Sequence, residues 1–200
     1  TAGDLSVKYL DTVASGSADS ITLIVDGGAT VTAFEVGGTT AVNEFETFNI
    51  KSQGSVANKI TDVSASDGTD LVGAKTKVVV TGDTKLTLGA VGASLDLGAN
   101  STISAADFTG ALTVYGDDAG IISITGGSGG DTIDLTGRTY AASTVAAQSF
   151  TGGAGADTIV IDQGITEANT TAKDSTKHVY EAETLHFKEL TTAADVTIEA

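Results

Sequence analysis

The chain has 200 residues, with no Cys, Met, Trp or Pro, 25 Gly and only two His. That composition removes disulfides, thiolate chemistry and Cys- or His-rich metal sites together. Ten basic against 26 acidic residues leave a formal charge of −16, a field that repels nucleic acid and anionic membranes and draws in cations.

No run is apolar for the roughly 20 residues a membrane-crossing helix takes, and no basic segment followed by an apolar one opens the chain as a secretory signal would. The sequence starts in mid-pattern at Thr1 and is read as a piece of something longer. Disorder is the first reading to set aside. Thr, Ala and Gly dominate, yet hydrophobic residues reach 40% and fall in short alternating groups, which disordered chains lack. The absence of Pro suits densely paired strands, where a missing N–H breaks a ladder.

In chain order, Ile21, Leu23 and Val25 form the first alternating group, and Asn58–Thr61 is a short helix candidate. Apolar groups follow at Val78–Val80, Leu86–Leu88, Leu95–Leu97, Ile103, Leu112–Val114, Ile122–Ile124, Ile133–Leu135 and Ile159–Ile161, with a second helix candidate at Glu167–Ala172. The groups from Val78 to Leu135 centre on residues 79, 87, 96, 103, 113, 123 and 134. A short strand that often, closed each time by Gly, Asp, Asn or Ser, predicts an all-β fold of the parallel β-solenoid or β-roll type. The alternative is a β-sandwich, whose strands recur at similar spacing but run longer.

The sharpest motif is Gly-Gly-Ser-Gly-Gly-Asp-Thr-Ile-Asp at Gly126–Asp134, repeated as Gly-Gly-Ala-Gly-Ala-Asp-Thr-Ile-Val at Gly152–Val160. Both fit the nonapeptide Gly-Gly-x-Gly-x-Asp-x-apolar-x of calcium-binding β-rolls. Glycine lets the turn adopt left-handed backbone and aim its carbonyls at one point. The Asp adds a carboxylate, and Ca²⁺ collects 6–8 such oxygens, so one turn offers half a site and a stacked turn the rest. The candidate metal ligands are Gly127, Gly129 and Asp131 in the first turn and Gly153, Gly155 and Asp157 in the second, with Ca²⁺ as the cofactor. The plainer alternative has the glycine turns joining strands while each Asp accepts backbone N–H groups. Asp131 and Asp157 stand 26 residues apart, not the roughly 18 of two nonapeptides per coil. Direct stacking therefore calls for residues within Arg138–Ala147 to loop out. Alternation after each Asp sends Ile133 and Ile159 into the core, with Leu112 and Phe108, and Thr132 and Thr158 outward.

There is also an internal duplication. Ala18–Leu23 matches Ala156–Ile161 at an offset of 138, and Glu44–Lys51 matches Glu181–Lys188 at 137. The chain divides accordingly into 1–51, the end of one repeat unit with a degenerate nonapeptide at Ala14–Asp19, and 52–200, a solenoid unit with intact ones. Calcium is expected at the intact pair and little of it at 14–19.

With these motifs in order along the chain, the sequence resembles the repeat region of Gram-negative surface-layer proteins that carry calcium nonapeptides of the repeats-in-toxin type. Thr81–Leu88, Ser101–Thr113 and the Glu183–Phe187 strand are similar to blocks of such proteins. The resemblance implies type I secretion without an N-terminal signal, folding outside the cell on meeting calcium, and calcium-dependent assembly into a lattice. Two nonapeptides in place of a long tandem run set the chain apart from the toxin branch.

Other polar residues have modest readings. Asp117-Asp118 could extend the cation edge; Asp134 and Asp162 follow strands and could close turns. Glu46 and Glu183 fall on the outer face by their alternation, where a ladder or solvent role outweighs catalysis. His186 occupies a surface slot matched by Asn49, and His178 ends a polar loop. No Gly-x-Ser-x-Gly nucleophile elbow is present, and a single Arg, Arg138, is poor equipment for an anionic polysaccharide, so no enzyme is expected. The expected function is structural: an extracellular, cell-surface segment whose partner is a second copy of itself, with cell-surface polysaccharide reached only through regions outside this chain. Neither nucleic acid nor membrane insertion is expected. The rivals are the stalk of a type I secreted adhesin and the roll of a secreted hydrolase.

Overall fold

The computed structural model describes residues 2–8, 18–37, 45–65, 76–93, 95, 97–116, 120–138, 148–162 and 178–188. Among these residues there is no helix, and the strands wind into a parallel β-solenoid. One wall is a nine-stranded sheet of β1 (Ala2–Lys8), β3 (Thr30–Gly37), β5 (Asn58–Ile60), β8 (Leu86–Leu88), β10 (Leu112–Tyr115), β12 (Thr132–Asp134), β14 (Thr158–Asp162) and β16 (Thr184–Lys188), with β6 (Val63–Ala65) also on β3. The other is a seven-stranded sheet of β2 (Ser20–Asp26), β4 (Thr47–Gln53), β7 (Lys77–Gly82), β9 (Ser101–Ser104), β11 (Ile121–Thr125), β13 (Gln148–Thr151) and β15 (His178–Glu181). Successive strands fall mostly on opposite walls, and named strands pair in parallel with the coil above and below. That geometry rules out the sandwich alternative.

The core lies between the walls, built from stacked columns of inward residues. In the nine-stranded sheet the register places Ile60, Leu88, Val114, Ile133, Ile159 and Leu185 one above another. In the seven-stranded sheet the matching column is Ile21, Phe48, Val78, Ile103, Ile124, Phe150 and Tyr180. Interior members of both columns are buried, and each such side chain stabilises by about 1.5–3 kcal/mol. Ile133, Ile159, Leu112 and Phe108 point inward as the alternation requires, and Thr132 and Thr158 stand on the outer side, half-buried.

Three local expectations are corrected. Asn58–Thr61 is no helix: Asn58–Ile60 is β5, with Asn58 and Ile60 inward and Lys59 outward, a period of two set by pairing with Leu86–Leu88. The Leu95–Leu97 group is no strand: the Leu97 N–H turns back to the Leu95 carbonyl at 2.7 Å, which drops both leucines into the core from irregular backbone. His178 opens β15 opposite Gln148 and is not in a loop. In β11 a register shift between Ile121 and Ser123 buries Ile121 and Ile124 and leaves Ile122 half-buried. Glu167–Ala172, Asp117-Asp118 and residues 14–17 lie outside the described residues, and the unit boundary at 51/52 falls inside β4.

Coil length is not constant. Thr113 pairs with Thr132, 19 residues on, whereas Thr132 pairs with Thr158, 26 on, and Gln148 with His178, 30 on. The two nonapeptides therefore do stack directly, on a 26-residue coil that includes β13. Arg138, read as part of a looped-out insertion, is instead 1% exposed. Its guanidinium donates to the Gly116 carbonyl at 2.8 Å and to the Ile121 carbonyl, and lies 5.3 Å from the Phe150 ring centroid. It pins the turn after β12 to the coil below and to β13. Residues 139–147 lie outside the described residues.

Candidate functional site

A column of its own runs along one corner of the nine-stranded sheet, at the first residue of β5, β8 and β10 and one residue ahead of β3, β12, β14 and β16. By register this column reads Ala29, Asn58, Leu86, Leu112, Asp131, Asp157 and Glu183. Every backbone N–H in a buried ladder needs an acceptor. Where the coil above offers Leu, the acceptor is a neighbouring carbonyl: Asn58 N–H donates to Lys85 O at 2.9 Å and Leu86 N–H to Ala111 O at 3.0 Å. Where the coil above offers a polar side chain, that side chain takes over. Asp131 Oδ1 accepts the Leu112 N–H at 2.7 Å, Asp157 Oδ1 the Asp131 N–H at 2.7 Å, and Glu183 Oε2 the Asp157 N–H at 2.8 Å. At the other end of the solenoid Asn58 Oδ1 accepts the Gly28 and Ala29 N–H groups at 3.0 and 2.8 Å. Its amide group donates to Val25 O, Ser52 Oγ and Gln53 O.

The duplicated pair found in the sequence performs one job twice. Asp19 N–H donates to Glu46 Oε2 at 2.8 Å, as Asp157 N–H does to Glu183. The first pair joins β2 to β4 in the seven-stranded sheet and the second joins β14 to β16 in the nine-stranded sheet. Both glutamates have the ladder role, but not from the outer face: each stands one residue ahead of its strand, β4 or β16, at a corner position two residues before the inward Phe48 or Leu185.

The six candidate ligands come together at this corner, but the two turns differ. In the first, Asp131 is 2% exposed and both carboxylate oxygens are engaged, Oδ1 by Leu112 and Oδ2 by the Gly127 N–H at 2.6 Å. Gly127 and Gly129 have no positive φ. They are glycines because a Cβ at either would run into a carbonyl of the coil below, that of Phe108 or Gly110. In the second turn Gly153 and Gly155 do adopt positive φ, 100° and 134°, a region closed to most side chains. There Asp157, 1% exposed, keeps Oδ1 on the Asp131 N–H, while its Oδ2 is buried with no hydrogen-bond partner. Backbone also bridges the turns, from Ala154 N–H to Gly127 O at 2.9 Å. Asp134 closes the following turn by accepting the Thr136 N–H at 2.9 Å.

The electrostatics follow the geometry. Burial pushes the Asp131 carboxyl above the ordinary aspartate value; the Leu112 and Gly127 N–H groups pull it back in part, and nearby Asp157 pushes it further up. Glu183 moves the other way, held below the ordinary glutamate value by the Asp157 N–H it accepts.

A buried carboxylate oxygen with no donor is costly, and a hard cation is one group that satisfies it. The Asp157 turn fits that demand: one bare carboxylate oxygen beside glycine backbone. The Asp131 turn fits it less well, since a cation there would compete with two N–H groups. Among the described residues no three Asp, Glu or His side chains gather as a metal cluster, so a bound Ca²⁺ would draw chiefly on carbonyl and water oxygens. Sequence reasoning missed Asn58, whose signal, Asn ahead of Lys-Ile, echoes Asp ahead of Thr-Ile. It also missed Arg138, which carries no motif. Comparison with known proteins adds nothing to the geometry: no family model, no curated protein and no solved structure matches the chain.

Proposed function

We propose that the chain is a structural segment of an extracellular surface layer, of the class its nonapeptides resemble, in which Ca²⁺ completes the Asp157 turn and ordered coils support self-assembly. The observation that carries this reading is the buried, unpartnered Asp157 Oδ2 beside two left-handed glycines. Gly153, Gly155 and Asp157 would hold the ion, with Gly127, Gly129 and Asp131 forming the turn beneath. The ion supplies positive charge that neutralises the buried carboxylate and locks the turn; no catalytic step is part of the reading. Coils of 19 to 30 residues favour a lattice protein over an adhesin stalk, which needs units of nearly constant length.

Affinity in the range of extracellular modules, on the order of 10⁻⁴–10⁻³ M, predicts about 1.4 kcal/mol of added stability at 10 mM Ca²⁺ for a Kd near 1 mM. Thermal melts across a calcium titration, with sodium at matched ionic strength as control, measure it, and Asp157→Asn should remove the calcium-dependent part. A melting temperature indifferent to calcium in the wild-type chain sinks the proposal.

A further inference from the structure

Both ends of the solenoid are open. β1 and β2 are the edge strands at one end and β16 and β15 at the other, and among the described residues no strand pairs with their free sides. The core thins out there: Ile21 and Leu23 at the first end, and Tyr180, Leu185 and Phe187 at the last, are only half-buried. An edge of unpaired N–H and C=O groups is a template for a further strand. The ladders at both ends are parallel, so a strand that continues them runs the same way as the rest, and a copy that supplies it stacks head to tail.

The sequence supplies such a strand. Residues 192–199, Thr-Ala-Ala-Asp-Val-Thr-Ile-Glu, lie outside the described residues and repeat residues 1–8, Thr-Ala-Gly-Asp-Leu-Ser-Val-Lys. Thr, Ala and Asp are identical, an aliphatic replaces an aliphatic twice, and a hydroxyl replaces a hydroxyl. In the first copy of this motif Ala2–Lys8 is β1, which lies on β3 with Leu5 opposite Phe34, Ser6 opposite Glu35 and Val7 opposite Val36. Ala194 fits where Gly3 sits, because Gly3 has no positive φ and a Cβ there meets nothing within 4 Å. Leu5 is 40% exposed, so Val196 in its place gives up little packing. Their own β3 is out of reach of residues 192–199. It lies six strands from β16 in the sheet order, about 29 Å at roughly 4.8 Å per strand, whereas the chain from Lys188 to Thr192 spans at most about 14 Å.

Resting on the self-assembly reading above, we propose that residues 192–199 of one copy take the β1 position on β3 of a second copy and join the two head to tail. The ladder formed has the same backbone bonds as the one displaced, so the exchange itself costs little, as in a domain swap. What it adds is cover for two open ends. Main-chain bonds give such an added strand its affinity and alternate side chains set its register, so the joint does not depend on charge complementarity between copies of −16 each. A head-to-tail contact that does not close on itself repeats as a row.

The chain has no Cys, so introduced thiols report the joint directly. Thr197→Cys and Glu35→Cys chains, mixed in equal amounts in millimolar calcium under mild oxidation, should form a mixed disulfide, because Thr197 matches Ser6, the residue opposite Glu35. Paired strands hold such Cα atoms about 5 Å apart, within disulfide range. Thr197→Cys mixed with Thr113→Cys, in mid-sheet on β10, should give roughly tenfold less. Val196→Asp with Ile198→Asp should weaken association in sedimentation about tenfold or more, while melts at dilutions where the chain is monomeric match the wild type. Wild-type association without an excess of the 197–35 disulfide, or undiminished in the double Asp variant, overturns the joint and leaves self-assembly standing. A large fall in monomer melting for that variant puts residues 192–199 on their own solenoid and overturns the joint as well. A wild-type chain that stays monomeric in calcium overturns both.

Discussion

The turns at 126–134 and 152–160 share six of nine residues and sit one directly over the other, yet they are two different devices. In the lower turn glycine is required by close approach, with the Phe108 and Gly110 carbonyls where side chains would be, and Asp131 spends both oxygens on backbone N–H groups. In the upper turn the same close approach holds, to the Gly127 and Gly129 carbonyls, and backbone conformation is added, at φ of 100° and 134°, while Asp157 spends one oxygen and keeps the other bare. What lies beneath each turn makes the difference. The lower one rests on a 19-residue coil and the upper on a 26-residue coil. A nonapeptide is thus a permissive sequence, and its place in the stack decides whether its Asp spends both oxygens on the ladder or leaves one bare.

The comparison breaks most completely if the upper turn is no longer held over the lower. Arg138, between the two turns, is the residue that joins the end of β12 to Gly116, Ile121 and Phe150. Arg138→Ala leaves a void and two carbonyls short of donors, and should cost about 3–5 kcal/mol. Arg138→Met keeps much of the volume and loses only the hydrogen bonds, so about 1–3 kcal/mol is expected. Urea unfolding of both variants measures the gap. Equal, small losses would mean the guanidinium is not a pin.

The next test sets the two aspartates against each other without calcium. Asp131→Asn can satisfy Leu112 or Gly127 but presents an NH₂ to the other N–H, so it should destabilise by about 1–3 kcal/mol. Asp157→Asn retains the acceptor for the Asp131 N–H and replaces a buried bare oxygen by an uncharged group. It should fall within about 1 kcal/mol of wild type or stabilise the chain. The pH dependence sharpens this. The Asp131 carboxyl titrates above its unfolded value, so the folded state binds its proton more tightly and its contribution to stability rises as pH falls through the folded pKa. Asp131→Asn should lose that rise. Equal losses for the two variants would show that the turns do the same work.

How much of this was legible in the sequence follows from what spacing can encode. Alternation around Ile21, Val78–Val80, Ile133 and Ile159 announced strands and their inward faces, because the strand period is local. The Asp-x-Ile pattern also announced the corner, because one residue before a strand is a fixed place on a coil. Which residue lies above which is not local: coils of 19, 26 and 30 residues break any constant repeat. For that reason Asp131 and Asp157 looked too far apart to stack without a loop, and Asn58 was mistaken for helix although it caps the coil below it. Leu95 and Leu97 imitate a strand because burial alone, on irregular backbone, produces the same apolar-polar-apolar string. Arg138 was invisible for a simpler reason, since nothing in a lone Arg says that the carbonyls of Gly116 and Ile121 converge on it.

The smallest effect concerns Glu183, the acceptor above Asp157 and the last side chain of the corner column among the described residues. The Asp157 N–H holds its carboxyl below the ordinary glutamate value. A depressed pKa contributes stability above the unfolded value, about 4.3, and loses it as pH falls through the folded one. Glu183→Gln keeps an oxygen for the Asp157 N–H and removes the titration. The variant should converge on wild type only as pH falls through the lowered folded pKa of Glu183, and fall slightly behind it at pH 7, where the charged acceptor makes the stronger hydrogen bond. Melting temperatures from pH 3 to 7, without calcium, trace the two curves. If Glu183→Gln tracks wild type across that whole range, the charge of Glu183 adds nothing and only its oxygen matters. If the curves converge at low pH, the carboxylate ladder from Glu183 through Asp157 and Asp131 to Leu112 is charge-assisted at its exposed end and opposed by desolvation at Asp131, within three stacked coils of one corner.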